Sequence, residues 1–159
     1  MTSLQIRLAN LADTADGEAV FELLNSYAID LMGQGKPFSS DIRERLVPEL
    51  KKQANAVVLL AFADSIPAGL AICFVGFSTF RVRPLLNIHD FCVSPQFQGQ
   101  GVGKQLMAAV EQEARARGCC KVTLEVRDDN HRAKKLYLAS GFEAGKPGGD
   151  AMLFWGKPL

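Results

Sequence analysis

The stretch Val93-Ser94-Pro95-Gln96-Phe97-Gln98-Gly99-Gln100-Gly101-Val102-Gly103-Lys104 has the composition of an anion-binding turn. Its glycines let backbone N–H groups point inward, and a helix starting near Val102 adds about half a positive charge at its N-terminus. Together these features can cradle a phosphate. Two common cradles fail on spacing. The dinucleotide pattern G-x-G-x-x-G needs a third glycine where Lys104 stands. The P-loop needs a glycine at Gln98 and a Ser or Thr at Gln105. For the glycines alone, a tight strand-to-helix turn without a ligand is the other reading.

Three further positions carry chemistry. His89-Asp90 lies on an otherwise apolar run, Leu85 to Val93. A carboxylate there needs a partner, because burying a lone charge is prohibitive. The partner is either a bound ammonium or an internal arginine, Arg81 or Arg83. Glu125 sits in Leu124-Glu125-Val126-Arg127, where strand alternation faces it away from Leu124 and Val126. It is a candidate base or a solvated carboxylate. Tyr137 falls on a helical face with Ala133, Leu136 and Ser140, which by spacing is a core position. The four cysteines, Cys73, Cys92, Cys119 and Cys120, form no Cys-x-x-Cys pair, and His89 and His131 are far apart. No metal site is expected. Cys92 reads as a small core residue rather than a nucleophile.

The elements that must position these residues follow from periodicity. Leu4–Leu8 reads as a strand, and Asp13 or Thr14 caps a helix with apolar face Val20, Leu23, Leu24, Tyr27 and Leu31. A weaker helix follows Ser39-Ser40 and is expected to break or kink at Pro48. Ala56–Ala63 and Ala68–Phe77 are β-rich runs around a hairpin turn at Asp64-Ser65-Ile66-Pro67. Leu85–Val93 is the third such run. Val102, Leu106, Val110 and Ala114 mark a helix that carries Glu111/Arg115 and Glu113/Arg117 pairs and stops at Gly118. Lys121–Val126 is a strand, and Asn130 caps a short helix stopped by Gly141. Phe142–Ala144 and Ala151–Trp155 read as a closing pair of strands. The order β-α-α-β-β-β-α-β-α-β-β packs as helices on both faces of a mixed sheet.

The 159 residues fit a single domain, 1–159, with 48% hydrophobic and 22% charged residues. A net charge of +1 recommends neither nucleic acid nor an anionic membrane as partner. No apolar run approaches the ~20 residues of a membrane span, and Met1–Asn10 lacks the apolar stretch of a signal peptide. A cytoplasmic protein is expected.

Gln98-Gly99-Gln100-Gly101-Val102-Gly103 resembles the pyrophosphate-binding signature of the GNAT acetyltransferases, (Gln/Arg)-x-x-Gly-x-(Gly/Ala), and follows their Val-x-Pro-x-aromatic lead-in. The likeness continues through Leu124-Glu125-Val126-Arg127, Asn130, Ala133, Leu136-Tyr137 and Gly141-Phe142, spanning about Leu85 to Phe142. The resemblance implies an α/β (α+β) fold: a mostly antiparallel, twisted mixed sheet flanked by helices, with two splayed central parallel strands. It implies acetyl-coenzyme A as cosubstrate. Phe91, Cys92 and Val93 would line the pantetheine arm, Gln98, Gly99, Gln100, Gly101, Val102, Gly103 and Lys104 would hold the pyrophosphate, and Asn130 would touch the coenzyme. Many members are dimers, so a homodimer is an added expectation.

The implied chemistry is attack of an amine on a thioester. An alkylamine with a pKa near ~10.4 is protonated at pH 7, and freeing it costs roughly 4 to 5 kcal/mol. Tyr137 matches the family's general acid. Glu125 resembles the base of ribosomal-protein N-terminal acetyltransferases. Phe77 to Phe91 resembles diamine and thialysine acetyltransferases, which place Glu-Asp where His89-Asp90 stands. His89 is then a replacement base, and Asp90 the ligand of the acceptor's ammonium. A small polyamine-like or amino-acid-like amine, attacked directly in a ternary complex, is the leading acceptor. A protein or peptide amine is the alternative within the enzyme class, and a non-catalytic acetyl-coenzyme A-binding module the alternative outside it.

Overall fold

Turn chemistry and alternation build a first unit that runs to Leu124; a second begins at Glu125. The structure, a computed structural model, describes residues 3–145 and 154–159. In the first unit β1 (Leu4–Leu8), β2 (Ala56–Ala63), β3 (Ile66–Ser78), β4 (Arg83–Val93) and β5 (Val122–Leu124) form one sheet in the order β1-β2-β3-β4-β5. All neighbours are antiparallel except β4 and β5, which are parallel. Asp64 and Ser65 both adopt positive φ (47° and 71°), the geometry that a two-residue hairpin requires.

Helix α1 (Thr14–Ile29) covers one face of the sheet. Its Val20, Leu23 and Leu24 pack with Val58, Leu60, Leu70, Ile72 and Cys92, residues that alternate along their strands. Helix α3 (Val102–Ala116) covers the other face through Val102, Leu106, Val110 and Ala114. Gly69 permits its close approach, since a Cβ there would stand 3.3 Å from Val102 and from Leu106. The expected Glu111–Arg115 and Glu113–Arg117 pairs form on its outer surface. The mixed sheet with helices on both faces is as expected.

Several boundaries differ. Leu31 lies beyond the C-cap Asp30 and is exposed, so it is not part of the α1 face. Helix α2 (Ser40–Lys51) runs through Pro48. Glu44, whose carbonyl loses its partner to the proline, is exposed and can be served by water. β5 is three residues long, so Glu125 to Arg127 follow its end and the alternation argument for Glu125 does not apply.

In the second unit α4 (His131–Ala139) is capped by Asn130, whose Oδ1 accepts from the Ala133 N–H at 3.1 Å. The expected closing strands are not seen among the described residues. Phe142 instead donates its N–H to the Tyr137 carbonyl and Gly141, at φ 86°, donates to Leu138, so this stretch closes α4. Phe154 and Trp155 carry no strand, and residues 151–153 lie outside the described part.

One ion pair ties β1 to α1. Asp16 is 3% exposed and accepts from both terminal nitrogens of Arg7 at 2.6 Å and from the Asn10 N–H at 2.7 Å. Arg7 also stacks on Phe62, 4.9 Å from the ring centroid. The hydrogen bonds from Arg7 hold the Asp16 carboxyl below the usual carboxylate range, against the opposing effect of burial. A lowered folded pKa contributes stability above the unfolded pKa, near ~3.9, that is lost as pH falls through the folded value. Asp16→Asn should therefore cost roughly 1 to 3 kcal/mol in urea denaturation at pH 7, tempered by the part-exposed arginine. It should also flatten the acid limb of the stability curve; an unchanged urea midpoint would contradict this account.

Candidate active site

The site begins where the sheet forks. β4 pairs with β3 along its whole length, from Arg83↔Ser78 to Val93↔Gly69. On its other edge it pairs with β5 only at Leu86↔Val122, Asn87↔Thr123 and Ile88↔Leu124. The register along β3 shifts between Ile72 and Cys73, so His89 is an extra residue opposite that step. The bulge starts where parallel pairing stops. Beyond Ile88 none of the described strands pairs with the outer edge of β4, and the peptide groups of a strand edge are the kind that pair with an extended ligand. The expected parallel pair is present, but among the described residues β5 is the edge strand rather than a central one, and it ends at Leu124.

The bulge also aims side chains. Asp90 stands opposite Ile72, and Cys92 opposite Leu70, both on the face covered by α1. His89 meets Phe74 of that same face edge-on, with ring centroids 5.6 Å apart. His89 and Asp90 thus share one face, with His89 exposed and Asp90 half-buried. Burial pushes the Asp90 carboxyl above the usual range, and the neighbouring His89 pulls it back only in part. Among the described residues no hydrogen bond or ion pair engages that carboxylate. Arg83, one internal partner considered for it, donates instead to the Gly118 carbonyl at 3.0 and 3.2 Å. Arg81 makes no ion pair among the described residues.

The thiols near this face are unsuited to nucleophilic work. Cys92 donates to the Leu23 carbonyl at 3.6 Å, and burial pushes Cys73 and Cys92 up to about 12. A thiol so shifted is almost wholly protonated near neutral pH. Among the described residues no group of His, Cys, Asp and Glu is arranged to hold a metal.

Downstream of Val93 the chain makes a short 3₁₀ turn, Pro95–Phe97, and enters the glycine loop. Gly99 and Gly101 have φ of 77° and 82°, a backbone that side chains rarely adopt. A Cβ at either would meet no atom within 4 Å, so the space before the loop is open. Gly101 is the N-cap of α3 and offers no side-chain cap, which leaves the first-turn N–H groups of Val102, Gly103 and Lys104 directed out of the helix end. Gln98 and Gln100 brace the loop by donating to the carbonyls of Val93 (3.2 Å) and Gln96 (2.8 Å). Lys104 is exposed beside them. An uncapped helix terminus, an open left-handed turn and a lysine suit a pyrophosphate.

The remaining predicted residues belong to the second unit. Asn130 is the helix cap. Tyr137 is buried on α4, its ring 5.9 Å from that of Phe142. Glu125 is exposed in irregular chain, and the adjacent Arg127 is paired with Asp129.

Sequence reasoning missed Asn87 and Thr123. They pair across the fork, Asn87 Nδ2 donating to Thr123 Oγ1 at 3.0 Å. The available signal was an asparagine between Leu86 and Ile88 in an apolar strand, where asparagine is rare.

Comparison with known proteins agrees with this geometry. Residues 18–142 match the acetyltransferase (GNAT) family. The chain is 32% identical over 117 residues to an aminoglycoside N(6')-acetyltransferase type 1 of Stenotrophomonas maltophilia, covering 67% of this chain and 72% of that one. It is 34% identical over 73 residues to a thialysine N-epsilon-acetyltransferase of Bos taurus, which is 46% of this chain and less than half (42%) of that relative. The solved structure of a probable acetyltransferase superposes with a TM-score of 0.81 at 18% identity, covering 97% of this chain and 99% of the other. A sheet that forks beside an uncapped, glycine-lined helix end is what a coenzyme with a pyrophosphate and an extended arm requires, and the chain belongs to the GNAT family as an acetyl-coenzyme A-dependent N-acetyltransferase.

Proposed function

We propose that the whole chain, 1–159, works as one domain that acetylates a primary amine on a small cationic molecule, polyamine-like or amino-acid-like. The carrying observation is Asp90, a half-buried carboxylate without an ion-pair partner among the described residues, on the face covered by α1 at the fork. An ammonium is the partner that would neutralise it. The names of the aminoglycoside and thialysine relatives, both enzymes of small amines, support the same acceptor class.

In this reading the Gly99–Lys104 turn receives the pyrophosphate, and β4 along Phe91 to Val93 receives the pantetheine arm, as the resemblance to the family implies. Acetyl-coenzyme A supplies the activated acyl group when bound. Asp90 draws in the acceptor's ammonium, and His89, exposed on the same face, takes its proton directly or through water. The freed nitrogen attacks the acyl carbon, and backbone N–H groups of β4 stabilise the charge that builds on the acyl oxygen. As the carbon–sulfur bond breaks, Tyr137 gives a proton to the departing sulfur, the role that its match to the family implies, and the second proton shed by the new amide nitrogen returns to the phenol through water. No acyl-enzyme is required, consistent with the buried, protonated thiols of Cys73 and Cys92.

Three measurements test this. Acetyl-coenzyme A should raise the melting temperature, because a ligand of the native state stabilises it by mass action. Gly101→Asp, which adds a charge and a side chain at φ 82°, should abolish the shift; no shift in the wild type would end the reading.

Asp90→Asn keeps the shape and removes the charge. A carboxyl whose folded pKa is raised destabilises the fold once ionised, so at pH 7 this variant should melt no lower than wild type. Its KM for the best amine should rise about ten- to a hundredfold, the equivalent of one charge-assisted contact, with kcat less affected. His89→Gln should act on kcat instead. If Asp90→Asn is kinetically silent while Glu125→Gln lowers kcat, the acceptor is a peptide amine and Glu125 its base.

Tyr137→Phe should lower kcat about 10²- to 10⁴-fold with coenzyme affinity nearly unchanged. Full activity in that variant would transfer the acid role to water or another group.

A further inference from the structure

The fork of the sheet is held by a short stretch of backbone. β4 and β5 pair at Leu86, Asn87 and Ile88, and just before them the Leu86 N–H donates to the Lys121 carbonyl at 3.0 Å and the Cys120 N–H to the Pro84 carbonyl at 2.8 Å; parallel pairing is the weaker kind per residue. A ligand arm lying along His89 to Val93 must stop at the last of these rungs. What prevents the rungs from opening, or the gap from closing, determines where that arm ends.

One side-chain contact stands at that place. Asn87 Nδ2 donates to Thr123 Oγ1 at 3.0 Å, and both residues are half-buried. They are directly paired on the rung before the last. Asn87 is also opposite Phe74, which packs on the face covered by α1 and touches the His89 ring. The contact therefore shares a face with His89 and lies next to the bulge. Asn87 interrupts a buried run, with Leu86 at 0% and Ile88 at 4% exposure on either side. Packing alone would favour an aliphatic or β-branched residue at such a position. A partly buried hydrogen bond is a reason for asparagine there, because each partner would lose a ligand if the strands separated.

We infer that the Asn87–Thr123 hydrogen bond is a clasp that fixes the depth of the β4–β5 fork and so positions the acyl end of the coenzyme arm against the His89-Asp90 face. Both are positioning residues; neither need touch the reacting atoms. The inference rests on acetyl-coenzyme A occupying the fork, as proposed above.

Thr123→Val is nearly isosteric, keeps the β-branch suited to a strand and removes the hydroxyl. It should weaken acetyl-coenzyme A binding, measured by calorimetry, about threefold to tenfold, the range that one neutral hydrogen bond represents. Thr123→Ser should restore the wild-type Kd, because it keeps the oxygen. Asn87→Ala should weaken binding by a similar factor, and adding Thr123→Val should weaken it no further, since both remove one contact. At saturating coenzyme the KM for the amine should stay within about twofold of wild type, separating this role from that of Asp90. A Thr123→Val protein that binds acetyl-coenzyme A like wild type would overturn the inference, whether or not its melting temperature moved. Equal weakening in Thr123→Val and Thr123→Ser would also overturn it, by pointing to packing. A wild-type protein that fails to bind the coenzyme would instead remove the functional reading itself.

Discussion

β4 is held along one edge and released along the other. Its ladder with β3 is continuous from Arg83 to Val93 apart from the bulge, while its parallel pairing with β5 ends after Ile88. A strand interior to a sheet normally satisfies its peptide groups on both sides. Beyond Ile88, where none of the described strands pairs with that edge, the β3 ladder and the packed faces hold the strand in place. Cys92, buried under α1 at Leu23, and Ile88, 4% exposed, provide that packing. The site depends on this asymmetry. An open edge that could bend or re-pair would not present its N–H groups at a fixed place.

The bulge at His89 links this edge to the acceptor chemistry. Adding one residue opposite the Ile72/Cys73 step interrupts the two-residue period, so His89 and Asp90 turn to the same face rather than opposite ones. The pairing with β5 ends one residue earlier, at Ile88. A single backbone irregularity therefore aims the two ionisable side chains beside the point where parallel pairing stops. The glycine turn adds the third requirement within the same unit. It follows Val93 after one 3₁₀ turn, Pro95–Phe97, so the glycine loop and the end of β4 are fixed relative to each other by a few residues of chain.

The protein treats two carboxylates in opposite ways. Asp16, the more deeply buried, has a bidentate arginine and a backbone N–H, and its pKa is lowered. Asp90 has no such ligands, and burial raises its pKa. The first arrangement serves the fold by tying β1 to α1. The second is costly to the fold when ionised, and under the proposed function a bound ammonium offsets that cost.

Much of this was legible in the residues. Helical and strand periods located β1, α1, α3 and the β2–β3 hairpin; of the two cap candidates for α1 the structure uses Asp13, Asn130 caps α4 as expected, and Ser39 caps α2. The glycines marked a tight strand-to-helix turn, because left-handed backbone and an uncapped helix end are local properties of a short segment. At Pro48 the expected break does not occur, because solvent around Glu44 allows the helix to continue past the proline. Phe142–Ala144 misled for a related reason: a β-like composition was used to close α4. Tertiary structure alone decided the length of β5, the bulge at His89 and the common face of His89 and Asp90. These are matters of register between strands distant in sequence, and one chain's periodicity carries no information on which residue of a partner strand it will meet. The Asn87–Thr123 contact joins residues 36 apart in the chain and exists only once that register is set.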